Sequence, residues 1–194
     1  MNENKGIFQT SPRKNGIDKG EEMEVLMKQC TENEIGTLHE FSCKTFIETY
    51  GSKNTPENMQ FYLDNNLNIE KLRADLLSEN VYFYFLYTDD ELSGYVKLNV
   101  APAQTDINDE KSLEIERIYV AEEFQGKGLG KHLMNKAIEV AKEKKKEYIW
   151  LGVWDQNEKA IRFYKKHDFQ KAGEHSFFLG DEKQVDYIMR RCVI

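Results

Sequence analysis

The sequence predicts an α/β fold: a mixed, mostly antiparallel sheet with one parallel strand pair. Three observations carry this. Apolar runs of strand length, rich in β-branched and aromatic residues, recur at 24–29, 81–88, 92–100, 113–120, 148–154, 169–179 and 185–193. Several of them succeed one another with only a turn or loop between, the habit of antiparallel neighbours. Between 120 and 148 stands a single amphipathic helix, the crossover that a parallel pair needs.

The elements follow in order. Residues 1–22 are polar and aperiodic, with Gly6, Gly16, Gly20 and Pro12. They are expected to be a disordered leader or an added extension, with Met23 as an alternative start. Residues 23–194 are expected to form one domain, a length that supports a sizeable core. After the first strand, Thr31-Glu32-Asn33-Glu34 spells a capping box. The helix behind it carries Ile35, Leu38, Phe41, Cys43, Phe46 and Ile47 on one stripe, and Gly51 is expected to cap it. Thr55-Pro56-Glu57 starts a second helix, with proline at its first position. Asn68 caps a third, with Ile69, Leu72, Leu76 and Leu77 inward.

Residues 81–88 and 92–100 form a hairpin turned at Asp89-Asp90, followed by a polar loop. In the strand at 113–120 the apolar positions are odd at Leu113 and Ile115 but even at Ile118 and Val120. A β-bulge near Arg117 reconciles the two halves. Leu129, Leu133, Ala137, Val140 and Ala141 mark the buried face of the crossover helix. The run Tyr148-Ile149-Trp150-Leu151-Gly152-Val153-Trp154 is apolar throughout, as in a parallel strand covered on both faces. A helix capped at Asp155 or Asn157 and a final hairpin turning at Gly180-Asp181 complete the chain.

Composition narrows the function. Of the 194 residues 40% are hydrophobic and 12% aromatic, enough for a packed globule. A net charge of −7 and a pI of about 5.3 disfavour nucleic acid and anionic membrane as partners, and suit a cationic one. Cys30, Cys43 and Cys192 are scattered and odd in number. That pattern is neither a disulfide framework nor a metal site, so no metal is expected. No apolar run is long enough to span a bilayer, and a cytoplasmic location is the default.

The chemistry concentrates after the fourth strand, at Gln125-Gly126-Lys127-Gly128-Leu129-Gly130-Lys131. Glycines let a backbone approach a ligand closely, and a helix N-terminus favours an anion. A Walker loop is excluded because position 125 is Gln125 and His132 follows Gly130-Lys131. A dinucleotide fingerprint is excluded because Lys131 stands where glycine is required.

What remains, Gln-x-x-Gly-x-Gly, resembles the pyrophosphate loop of the GNAT superfamily of N-acetyltransferases, which bind acetyl-CoA. A second motif agrees. Asn157, Ala160, Phe163, Tyr164 and Lys166, running on to Phe169, resemble that superfamily's Asn-x-x-Ala-x-x-x-Tyr helix; the family's glycine before Phe169 is Asp168 here. Asp168 tolerates the left-handed turn this position calls for.

The resemblance implies a splayed parallel strand pair admitting acetyl-CoA, with helices on both sheet faces. It implies that Asn157 contacts the pantetheine arm and that Tyr164 protonates the leaving thiolate. Ile118, Tyr119, Val120, the loop 125–131, Ala160, Phe163 and Lys166 join them as the expected cofactor contacts. Within the superfamily, the strand at 148–154 and His175-Ser176-Phe177-Phe178-Leu179-Gly180-Asp181 resemble the bacterial spermidine/spermine N-acetyltransferases of the Pai type. That implies a small polycationic amine as acceptor and direct transfer, by a monomer or homodimer. Glu116 is the expected general base, with Glu114 second. They share strand period two, so either can face the site. Tyr50, Glu114 and His175 are placed on the acceptor wall. Two other functions use the same motifs: acetylation of a protein N-terminus or lysine, and non-catalytic sensing of CoA.

Overall fold

Local signals set most element boundaries. The computed structural model describes residues 23–179 and 182–193; the expected leader at 1–22 and the turn at Gly180-Asp181 lie outside the described residues. Strand β1 (Val25–Gln29) leads to the capping box, where the Thr31 N–H donates to Glu34 Oε2 at 3.0 Å. After one 3-10 turn, helix α1 (Ile35–Tyr50) follows. Gly51 caps this helix as expected, with right-handed backbone. It lies at φ −60°, its N–H still bonded to the Ile47 carbonyl, and the helix tightens into another 3-10 turn without reversing.

Helix α2 (Pro56–Asn66) begins at Pro56, with Thr55 Oγ1 accepting from the Asn58 N–H at 3.2 Å. Helix α3 (Ile69–Leu77) begins behind Asn68, whose Oδ1 accepts from the Lys71 N–H at 2.8 Å. Each cap satisfies a backbone donor the helix cannot satisfy itself. The remaining elements are β2 (Val81–Thr88), β3 (Glu91–Val100), β4 (Ser112–Val120), α4 (Leu129–Glu143), β5 (Tyr148–Trp154), α5 (Glu158–Lys166), β6 (Gln170–Leu179) and β7 (Glu182–Cys192).

The strands form one sheet in the order β1-β2-β3-β4-β5-β7-β6, antiparallel except for β4 and β5. Alternation along the strands feeds two cores. Phe83, Phe85 and Tyr95 pack with Leu38, Phe41, Phe46, Met59 and Leu72 of α1–α3 on one face. Leu86, Val96, Leu98, Leu113 and Ile115 pack with Leu129, Leu133, Ala137, Val140 and Ala141 of α4 on the other, where Tyr164 of α5 joins them. Among the described residues no helix is long and apolar enough to cross a membrane.

Two departures from a regular sheet position the site. Lys97 pairs with Arg117 and Leu98 with Ile115, so Glu116 is an additional residue in β4. This is the bulge the change of apolar phase predicts. Next, β4 pairs with β5 only from Ser112 opposite Tyr148 to Glu114 opposite Trp150. Beyond that the parallel strands part.

Candidate active site

The parting of β4 from β5 opens a cleft of about 1030 Å³. One end is built by the turn into α4. Gly126 and Gly128 have φ of +80° and +81°, a conformation that costs residues with a Cβ about 1–2 kcal/mol. A Cβ at either would meet nothing within 4 Å, so the glycines serve backbone shape and leave the concavity open. Gly130 has the other use: a Cβ there would stand 3.2 Å from the Phe163 ring, so its absence lets α4 and α5 approach. Gly128 is the N-cap of the 15-residue α4, and Lys131, Lys159 and Lys166 line the same cleft. Helix N-terminus, open glycine backbone and lysines together fit a pyrophosphate.

Most expected cofactor residues converge on this cleft: Ile118, Tyr119, Val120, Gln125, Gly126, Gly128, Leu129, Gly130, Lys131, Asn157, Ala160, Phe163, Tyr164 and Lys166 all line it. Lys127 does not, its ammonium lying 4.9 Å from the centre of the Phe124 ring. Gln125 Nε2 donates to the Val120 carbonyl at 2.9 Å, and its Oε1 accepts from Lys159. The glutamine thus ties the loop to β4 and α5. Asn157 Oδ1 accepts from the Ala160 N–H at 3.1 Å and caps α5. Asp168 takes a φ of +64°, the left-handed turn expected of it.

At the inner end, Tyr164 is 7% exposed. Burial pushes its phenol well above the ordinary value, and the nearby Asp186 carboxyl adds to the shift. The hydroxyl holds its proton throughout the neutral range. Tyr50 also lines the cleft, 6.1 Å from Trp154 between ring centroids, and is raised by burial despite a hydrogen bond with Tyr119.

A second cavity of about 340 Å³ adjoins the first, sharing Tyr62, Glu116, Arg117, Gly152 and Asp186 with it. Here the expected acceptor residues divide. Glu114 and His175 line the second cavity, whereas Tyr50 lines only the first. Glu114 is 2% exposed and accepts from Thr105 N–H at 2.9 Å, from Thr105 Oγ1 and from Asn99 Nδ2 at 2.9 Å. Burial raises its carboxyl in spite of these donors. His175 Nδ1 is 2.9 Å from Asp106 Oδ2.

Glu116, the expected base, projects from the bulge into a ring of donors. Its Oε2 lies 2.6 Å from Lys97 Nζ and 2.7 Å from Asn99 Nδ2, and its Oε1 lies 3.2 Å from Arg117. Burial alone would raise this carboxyl, but the Arg117 and Lys97 charges hold it below its usual value. Lys97 is 3% exposed and also reaches Asp75 Oδ2 at 2.6 Å, tying α3 to the bulge. Sequence reasoning passed over Lys97 and Asn99. The signal was there: two polar residues inside an otherwise apolar strand.

A family model described as "Acetyltransferase (GNAT) family" matches residues 37–169, over half of the chain. The chain belongs to this family. As a GNAT acetyltransferase it is an N-acetyltransferase with acetyl-CoA as co-substrate. The acetyltransferase is 39% identical over 88% of its length to an uncharacterized N-acetyltransferase in the pepI 3′ region of Lactobacillus delbrueckii subsp. lactis, covering 98% of that protein. It is 32% identical over 47% of its length to the spermine/spermidine N(1)-acetyltransferase of Bacillus subtilis, covering 61% of that protein. Its fold matches the PaiA N-acetyltransferase of Thermoplasma acidophilum, solved in complex with coenzyme A. The TM-score is 0.72 at 21% identity, over 87% of this chain and 99% of that one.

Proposed function

We propose that this acetyltransferase acts on a primary amine of a polyamine such as spermidine or spermine. One observation carries the reading: the cavity beside the cofactor cleft is lined by five carboxylates, Asp75, Asp106, Glu114, Glu116 and Asp186, against three fixed cations, Lys71, Lys97 and Arg117. An extended polycation can set separate ammonium groups against separate carboxylates, whereas a monoamine has a single one to place. The partial likeness to a spermine/spermidine acetyltransferase points the same way.

In this reading the pyrophosphate lies on the α4 N-terminus at 126–131, and the pantetheine arm passes between β4 and β5 beside Asn157. The backbone N–H groups at the bulge, near Ile118, stabilise negative charge on the thioester oxygen. Tyr164 gives its proton to the departing thiolate. Glu114 and His175 flank the acceptor in the smaller cavity, and Tyr50 closes the cleft. Glu116, saturated by Lys97, Asn99 and Arg117, holds the bulge and supplies field more than proton affinity.

The test is an amine panel followed by CoA release. Spermidine and spermine are expected to exceed a monoamine of similar length in kcat/KM by at least about fivefold, the equivalent of about 1 kcal/mol for one added ion contact. The preference is expected to shrink with added salt, since exposed charges are screened over about 8 Å at physiological ionic strength. Efficient turnover of peptide N-termini or lysines with none of polyamines would replace this acceptor class by protein amines.

A further inference from the structure

An alkylammonium with a pKa of about 10 must lose a proton before its nitrogen can attack. Glu116 is poorly suited to take it, being fixed as an anion between Lys97 and Arg117. Glu114 is occupied by Thr105 and Asn99. Another carboxyl stands where the two cavities meet. Asp186 lies on β7, opposite Trp154 of β5 and opposite His175 of β6, and it lines both cavities. Its carboxyl leans over Gly152, where a Cβ would come within 3.2 Å of Oδ2. The absent side chain at 152 thus makes its space. Oδ1 is buried with no hydrogen-bond partner among the described residues.

We propose that Asp186 is the group that accepts the proton of the acceptor ammonium. The inference rests on the acetyltransfer reading and names the base within that same site. In the step, one ammonium proton passes to the Asp186 carboxylate. The freed lone pair forms the N–C bond to the thioester carbonyl carbon, and the C–S bond breaks with its electron pair going to sulfur. The thiolate takes the Tyr164 proton, and the second proton lost by nitrogen restores that phenol. Asp186 releases its proton to water, so one proton leaves per acetyl group transferred.

The surroundings agree. Burial raises the Asp186 carboxyl to about 6 and Asp155 adds to the shift, while His175 opposes it. Tyr50, Tyr62 and Tyr164 face it from α1, α2 and α5 as neutral phenols, and Glu116 and Arg117 of β4, paired with each other, line the same two cavities. Asp186 is therefore ionised at neutral pH yet more basic than an ordinary carboxylate.

The experiment compares wild type, Asp186→Asn and Asp186→Glu with spermidine and, separately, with peptides bearing free N-termini. Asp186→Asn is expected to lose about 10²-fold in kcat/KM at pH 7 and to lose the acidic limb near pH 6. Coenzyme A affinity by calorimetry should stay within about twofold. Asp186→Glu, which keeps a carboxyl, should restore part of the rate and the limb. In carbon-13 spectra of the CoA-free protein, one carboxyl resonance absent from Asp186→Asn should titrate near 6. An unchanged limb in Asp186→Asn, whatever the rate, or titration of that carboxyl near 4, overturns the proposal. Turnover of peptides alone removes the polyamine reading and leaves Asp186 to be judged on the peptide profile. Turnover of neither amine class by wild type removes both.

Discussion

The Gly128→Glu protein is expected to bind no coenzyme A by calorimetry, a loss of about 10³-fold or more. Two effects combine. At φ +81° a residue with a Cβ is strained, by about 1–2 kcal/mol, so the turn leaves the shape that presents its N–H groups. The new carboxylate also enters the anion site at the α4 N-terminus, where it takes up the helix's positive end and repels a pyrophosphate. Packing is not the cause, since a Cβ at 128 would meet nothing within 4 Å. The fold should survive, with circular dichroism unchanged. Wild-type affinity in that folded variant would remove the phosphate assignment from the loop.

Tyr164→Phe is expected to lower turnover by about 10²-fold or more while coenzyme A affinity stays nearly the same. The phenyl ring keeps the contacts of a side chain only 7% exposed, so the loss is confined to the hydroxyl. The wild-type phenol is held protonated by burial, which suits a donor to a departing thiolate. Single-turnover thiol release should show the defect in the chemical step. Wild-type turnover at every pH would leave Tyr164 as a core aromatic of α5 and nothing more.

The legible parts of this molecule are those encoded within a few residues. Thr31, Thr55 and Asn68 announce helix starts because capping is a contact over three positions. The bulge at Glu116 could be foreseen because apolar positions change phase within one strand. The left-handed Asp168 followed from the resemblance, which has glycine at that position, together with the tolerance of aspartate for such a turn. The cap at Gly51 was legible locally, although a glycine there permits reversal without compelling it, and the chain runs on into a 3-10 turn. Long-range pairing was hidden. Asp186 reaches the site through the register of β7 with β5, beside a glycine 34 positions earlier, and nothing in Val185-Asp186-Tyr187 marks it. Likewise the ion pairs of Lys97 with Asp75 and Glu116 join α3, β3 and β4, and only the oddness of a lysine in that strand pointed to them.

The buried Asp186 carboxyl also bears on how firmly the chain holds together. An aspartate in the unfolded chain titrates near 4, and this one at about 6 in the folded protein. The folded state therefore binds the proton more tightly. Its favourable contribution is complete below about pH 4 and is lost as pH rises through 6. Above that range the ionised group opposes folding by something on the order of 2 kcal/mol, after allowance for its partial contact with solvent. Proton linkage thus sets turnover and stability in opposition at one side chain. Asp186→Asn should melt at a higher temperature than wild type at pH 8 and at nearly the same temperature at pH 4, gaining stability under the conditions in which it loses activity.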